Sequence, residues 1–160
     1  MTSAPVSTKV LSMQLRLREV RPPDLPIFFK HQCDAEAAEM AGYVLRARSA
    51  FDEHWRKIIT GPMFIVRSIE ADGKVAGYVS AFPRDDRSEI AYWLGREYWA
   101  KGIGKAAVKA FLKLHLERPL FGTVVSKNLG SLAILRGCGF EFHAEETGSD
   151  GFKEHILRLG

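Results

Sequence analysis

Cysteine is scarce in this chain. The two present, Cys33 and Cys138, form no Cys-x-x-Cys pair, which excludes a disulfide-stapled secreted scaffold and a zinc ribbon. The five histidines are scattered, and none stands at ligand spacing from another, so no metal site is expected. No apolar run approaches the roughly 18 residues that span a bilayer. Residues 1–10 are small and polar and lack the apolar segment of a signal peptide. No block of like charges is long enough to mark a nucleic-acid tail, and the formal charge is only +4. That excess permits an anionic ligand while leaving nucleic acid disfavoured and a membrane partner excluded. A cytoplasmic location is expected.

What remains is an ordinary globular mixture: 160 residues, 46% hydrophobic and 26% charged, enough for one core and too few for two large domains. Residues 1–12 are rich in Ser, Thr and Pro and are expected as a flexible N-terminal arm, with the domain covering 13–160. Residues 14–20 alternate polar and apolar as a half-buried strand. Pro22 and Pro23 open a helix running to about Cys33. Residues 34–50 are Ala- and Glu-rich and helical in part. Phe51, Trp55 and Ile59 share the apolar face of a further helix. Two strands then flank Ala71-Asp72-Gly73, whose Asp-Gly step marks a tight hairpin, and residues 88–94 make a third. A long helix from Gly102 carries an apolar stripe of Ile103, Ala107, Phe111 and Leu114. Strand, short helix and two strands complete the order β-α-α-β-β-β-α-β-α-β-β, a single mixed α/β sheet.

The most informative segment is Trp93 to Ala107, where a strand ends and a helix opens on Gly102-Ile103-Gly104. Two residues without Cβ let a ligand approach the backbone. The helix N-terminus adds unpaired N–H groups and partial positive charge, together a phosphate cradle. Lys101 and Lys105 add charge at its rim. The segment matches the dinucleotide fingerprint literally. However, too little chain follows for that fold, and no acidic residue ends the next strand. A Walker loop fails because Ala106 follows Lys105 where a hydroxyl is required. Packing of the helix on the sheet also explains the glycines. Downstream, Asn128 and Ser131 stand in the first turn of the short helix, where capping alone accounts for both.

Taken together, these segments resemble the GNAT superfamily of acetyl-CoA-dependent N-acetyltransferases, closest to the ribosomal-protein alanine acetyltransferase branch. Trp99-Ala-Lys-Gly102-Ile-Gly104 is similar to that family's pyrophosphate loop except at its first position. Glu89-Ile-Ala-Tyr-Trp-Leu94 is similar to its central strand, and Asn128 to Phe140 to its Asn-x-x-Ser segment. The resemblance spans residues 14–159. It implies a mostly antiparallel sheet splayed at its central strands and acetyl-CoA as cosubstrate. It also implies transfer to a primary amine, on a small molecule or a protein N-terminus, by direct attack in a ternary complex. The pyrophosphate falls to Lys101, Gly102, Ile103, Gly104, Lys105 and Ala106. Trp93 and Leu94 pair with pantetheine, and Asn128 contacts it. Glu89 is the candidate base, with a surface ion pair as the competing reading. The family's usual Tyr acid is replaced by Leu135, so Ser131 is the candidate proton donor to the thiolate. A CoA-binding module without transfer, an enzyme acting on aminoacyl-tRNA, and a homodimer stay open. The acceptor itself depends on residues 30–60 and on the Arg84–Arg87 turn.

Overall fold

The computed structural model describes residues 4–42 and 45–160. Positions 1–3 of the expected arm and 43–44 of the stretch between the first helices lie outside the described residues. The elements run β1 (Val6–Val10), β2 (Met13–Arg18), α1 (Asp24–Gln32), α2 (Ala35–Ala41), α3 (Arg48–Thr60), β3 (Ile65–Ala71), β4 (Lys74–Arg84) and β5 (Arg87–Leu94). A 3-10 turn at Arg96–Tyr98 leads to α4 (Ile103–Leu114), β6 (Leu120–Val125), α5 (Leu129–Gly137), β7 (Glu141–Thr147) and β8 (Lys153–Leu159). The eight strands form one sheet in the order β1-β2-β3-β4-β5-β6-β8-β7. Among the described residues no helix is long and apolar enough to cross a membrane.

The arm assignment needs correction, because Val6–Val10 pairs antiparallel with β2 from Val6↔Leu17 to Val10↔Met13. Its three central residues are exposed, so no alternating apolar signal betrays the strand. The β3–β4 turn forms as its sequence demands, with Asp72 and Gly73 both left-handed at φ 50° and 79°.

Alternation along the strands divides the side chains between two layers. Val79, Ile90 and Leu120 belong to the larger core, with Ile103, Ala107 and Phe111 of α4 and Leu135 of α5. The opposite face carries an aromatic cluster in which Phe28 and Trp55 lie 5.0 Å apart and Trp55 meets Tyr78 edge-on at 4.8 Å. Two expected stripe members fall outside. Ile59 and Leu114 each sit in the last turn of a helix and are exposed. A buried polar knot ties β2, α1 and β3. Arg18 grips Asp24 through both terminal nitrogens at 2.7 and 2.9 Å, and its Nε donates to Glu70 at 3.0 Å.

One seam in this sheet is incomplete. β5 and β6 run parallel and pair only at Ser88↔Leu120 and Glu89↔Phe121. Beyond that point Ile90–Leu94 diverges from β6, and the gap becomes the site.

Candidate active site

The gap between β5 and β6 holds two adjoining cavities of about 420 and 180 Å³, which share Ala41, Tyr92, Asn128 and Ser131 in their walls. The larger runs from those residues past Trp93 and Leu94 to Gly102, Ile103 and Gly104 at the start of α4. The smaller continues inward between the diverging strands, past Thr123 to Glu154. Ala37, Met40 and Ala41 of α2 also line the larger cavity. Asp34 caps α2 by accepting from the amides of Glu36 and Ala37. It also pairs with Arg96 at 2.8 Å, and Glu36 pairs with the same guanidinium. Asp34 and Glu36 thereby tether α2 to the connection entering α4.

At the outer end the helix opens on Gly102, left-handed at φ 78°, with no side chain capping the first turn. Only glycine adopts that conformation without cost. The amides of Ile103, Gly104 and Lys105 precede the first helical bond, which Ala106 N–H donates to Gly102 at 3.1 Å. Gly104 has a packing reason as well, because a Cβ there would lie 2.7 Å from Ile134 and 3.2 Å from Leu94. The glycines thus do two things at once. They seat α4 against α5 and leave a bare, electropositive rim that accommodates a diphosphate. Lys101, Lys105 and Ala106 do not line the cavity. Lys105 instead lies along Gly137 of α5. The Leu94 carbonyl accepts from Trp99 Nε1 at 3.1 Å.

At the inner end two hydroxyls meet. Tyr92 lies 2.6 Å from Ser131 Oγ and donates to the Ser131 carbonyl at 3.1 Å. Burial pushes the Tyr92 phenol well above its ordinary value, against the opposing influence of the Ser131 bond. The phenol therefore keeps its proton throughout the neutral range. The sequence around Tyr92 carries no signal of this contact. Its alternation with Trp93 was visible, but not that α5 brings Ser131 over it. Asn128 caps α5 as expected, its Oδ1 accepting from Ser131 N–H at 3.2 Å. Leu135 is buried and lines only the inner cavity.

Glu89 stands differently from expectation. It is 2% exposed and lines neither cavity. Arg87 Nε donates to it at 3.1 Å, Arg84 approaches at 3.5 Å, and Thr123 Oγ1 donates at 2.8 Å. The ion pair weighed against the base role is present, although buried and not on the surface. Cys138 donates weakly to the Lys105 carbonyl at 3.5 Å, and burial raises its thiol. It is no activated nucleophile.

No curated protein sequence matches the chain. Its architecture recurs in solved structures. RimJ of Mycobacterium smegmatis in complex with CoA-disulfide superposes with a TM-score of 0.78 at 18% identity, over 97% of this chain and 86% of that one. Spermidine N-acetyltransferase of Vibrio cholerae, with CoA and spermine, gives 0.79 at 14% identity over 91% and 94%. The ribosomal L7/L12 alpha-N-protein acetyltransferase RimL, in complex with coenzyme A, gives 0.77 at 15% over 96% and 97%. At these identities the likeness is one of fold. The sequence itself is more specific, since the acetyltransferase (GNAT) domain profile matches residues 14–141, from the second strand to the last hairpin, and so takes in the whole splayed seam. By that match the chain belongs to the GNAT acetyltransferase family.

Proposed function

We propose that the protein moves the acetyl group of acetyl-CoA to a primary amine by direct attack within a ternary complex. The observation that carries this reading is the continuity of the cleft. One end is the bare amide rim of Gly102–Lys105, and the other is the Tyr92–Ser131 hydroxyl pair. A diphosphate at the rim places a pantetheine-length arm along the unpaired stretch of β5. The thioester then falls among Tyr92, Asn128 and Ser131. The CoA-bound neighbours, which by name act on a protein N-terminus or on spermidine, support the same donor and an amine acceptor.

Each residue has a part. The amides of Gly102 to Lys105 hold the diphosphate, next to Ala106, whose own amide closes the first helical bond, with Lys101 and Lys105 contributing charge from the rim. Trp93 and Leu94 flank the pantetheine arm, and the Asn128 amide nitrogen contacts it. A free N–H near Leu94 polarises the thioester carbonyl, an effect worth a few kcal/mol when the donor is preorganised. Ser131 supplies the proton to the departing sulfur. Either hydroxyl can donate in the 2.6 Å contact; when Tyr92 turns its one proton from the Ser131 carbonyl to Ser131 Oγ, the serine O–H is free to point at the leaving group. This requirement is mild, because a thiol with a pKa near 8.5 departs readily. Glu89, held by Arg84, Arg87 and Thr123, suits the role of a fixed anion that positions Thr123 on the cleft wall. A carboxylate with its lone pairs already engaged is a poor proton acceptor.

The test is release of CoA thiol from acetyl-CoA in the presence of a panel of primary amines: a short peptide with a free N-terminus, spermidine and an aminoglycoside. Amine-dependent release with a matching mass gain of one acetyl group is expected. Binding of acetyl-CoA with no thiol released by any amine overturns the transferase reading.

A further inference from the structure

Glu154 is a carboxylate with no assigned task. It lies on β8 opposite Val125 of β6 and Glu146 of β7. Its side chain lines the inner cavity together with Tyr92, Thr123 and Ser131. Among the described residues no hydrogen bond or ion pair holds it, in contrast to Glu89 nearby with three partners. The charged groups around it are Arg84 from β4, Glu89 from β5, Glu146 from β7 and Asp150 from the β7–β8 turn. β6 lines the cavity with Gly122, Thr123, Val124 and Val125, and α2 with Ala41, none of them titratable.

We propose that Glu154 is the group that takes the proton from the acceptor amine, a deepening that rests on the transferase reading above. An amine near pKa 10 arrives as ammonium and must lose a proton before it attacks. The acceptor of that proton has to sit in the cleft beside the thioester, with a lone pair free. Glu154 meets both conditions. Burial strengthens its hold on a proton, Arg84 opposes this, and Asp150, Glu146 and Glu89 add to it. Its affinity therefore moves toward neutrality, the direction that suits a base working near pH 7.

The step balances. Glu154 accepts a proton from the ammonium and passes it to solvent. The freed nitrogen lone pair forms the C–N bond at the thioester carbonyl carbon. The C–S bond breaks with its electron pair on sulfur, which takes a proton from the Ser131 hydroxyl, and Ser131 regains one from solvent. The second nitrogen proton leaves by way of Glu154. One proton is released for each ammonium acetylated.

The experiment compares the wild type with Glu154→Gln, using whichever amine of the panel is turned over fastest. A fall in kcat of about a hundredfold or more is expected, within the range for loss of a general base, together with loss of the acid limb of the pH profile. Affinity for acetyl-CoA should not change. The melting temperature at pH 7 should be equal or higher. A carboxylate whose folded pKa is raised weakens the fold once ionised, and the amide removes that charge. Glu154→Asp should retain the acid limb at a reduced rate. Wild-type kcat in the Gln variant, a persistent acid limb, a loss confined to KM, or an Asp variant without the limb each overturns the assignment while leaving the transferase reading intact. A wild-type protein that releases no thiol with any amine overturns both.

Discussion

Tyr92 and Ser131, 39 residues apart in sequence, bring their hydroxyl oxygens to within 2.6 Å at the junction of the two cavities. The bond makes one donor out of two groups. Tyr92, its proton held tightly by burial, fixes the rotamer of a serine that would otherwise turn freely. Tyr92→Phe is expected to lower kcat about tenfold or less with little change in the acetyl-CoA dissociation constant. Ser131→Ala should cost more, about a hundredfold, the low end of proton-transfer catalysis, because a thiolate departs readily. Since Tyr92 acts through Ser131, the double variant should be no slower than Ser131→Ala. Steady-state kinetics of the three variants decides this, and additive losses would uncouple the pair.

Gly102 carries a conformational demand and Gly104 a steric one. Gly102→Ala forces a side chain into φ 78°, with its Cβ 3.3 Å from Val10 of β1. The left-handed conformation costs about 1–2 kcal/mol, which for a domain of this size lowers the melting temperature by a few degrees. Gly104→Ala presses on Ile134 and Leu94 and costs about 1–3 kcal/mol as overpacking. Both should also weaken acetyl-CoA binding, because each displaces the amides that face the diphosphate. Calorimetric titration with the coenzyme separates the two effects. A Gly102→Ala protein that binds normally would detach the rim from coenzyme recognition.

Asp24 holds the buried knot beneath α1. Burial alone would raise its carboxyl, but the Arg18 guanidinium, the Arg21 amide and the Ser68 hydroxyl together hold it below its usual value. A depressed carboxylate contributes stability that is complete above its unfolded pKa near 3.9 and disappears as pH falls through the lower folded value. The wild type should therefore lose stability steeply below about pH 4. Asp24→Asn should lack that component and be weaker by about 3–5 kcal/mol at neutral pH, since Arg18 loses a buried partner. Denaturant melts of both proteins from pH 3 to 7 test this. Parallel curves would refute it.

Arg96 tethers α2 over the coenzyme cavity through Asp34 and Glu36. These groups are partly exposed, so the tether contributes about 0.2–1 kcal/mol. Arg96→Ala should raise the acetyl-CoA dissociation constant up to about fivefold while leaving the melting temperature of the unliganded protein nearly unchanged. High salt should weaken binding more in the wild type than in the variant, which keeps only the salt dependence of the Lys101 and Lys105 rim.

Features with a local cause could be read from the sequence. The Asp72-Gly73 turn, the alternating strands, the Asn128 cap and the glycine opening of α4 each depend on neighbours a few residues away, and each forms as expected. What could not be read from the sequence has a common origin in distance. β1 is a polar edge strand whose only signature is its partner, β2. The Ala-rich residues of α2 become a wall of the cleft because Arg96 anchors their cap. Glu89 looked available as a strand carboxylate until the β4–β5 hairpin brought Arg84 and Arg87 to it and β6 brought Thr123. Nothing in residues 153–159 reveals that β8 lies beside β6, with Glu154 opposite Val125 where the gap is open.

The two-pair join between β5 and β6 leaves five strands on one side and three on the other. A ligand lodged in the gap bridges the halves and replaces the ladder the backbone omits. Amide exchange at Ile90–Leu94 and along β6 should therefore slow sharply when coenzyme is added, while the far edge at β1 exchanges as before. On the proposed reading, the least cohesive line of the protein is the one a ligand fills, and occupancy itself completes the sheet.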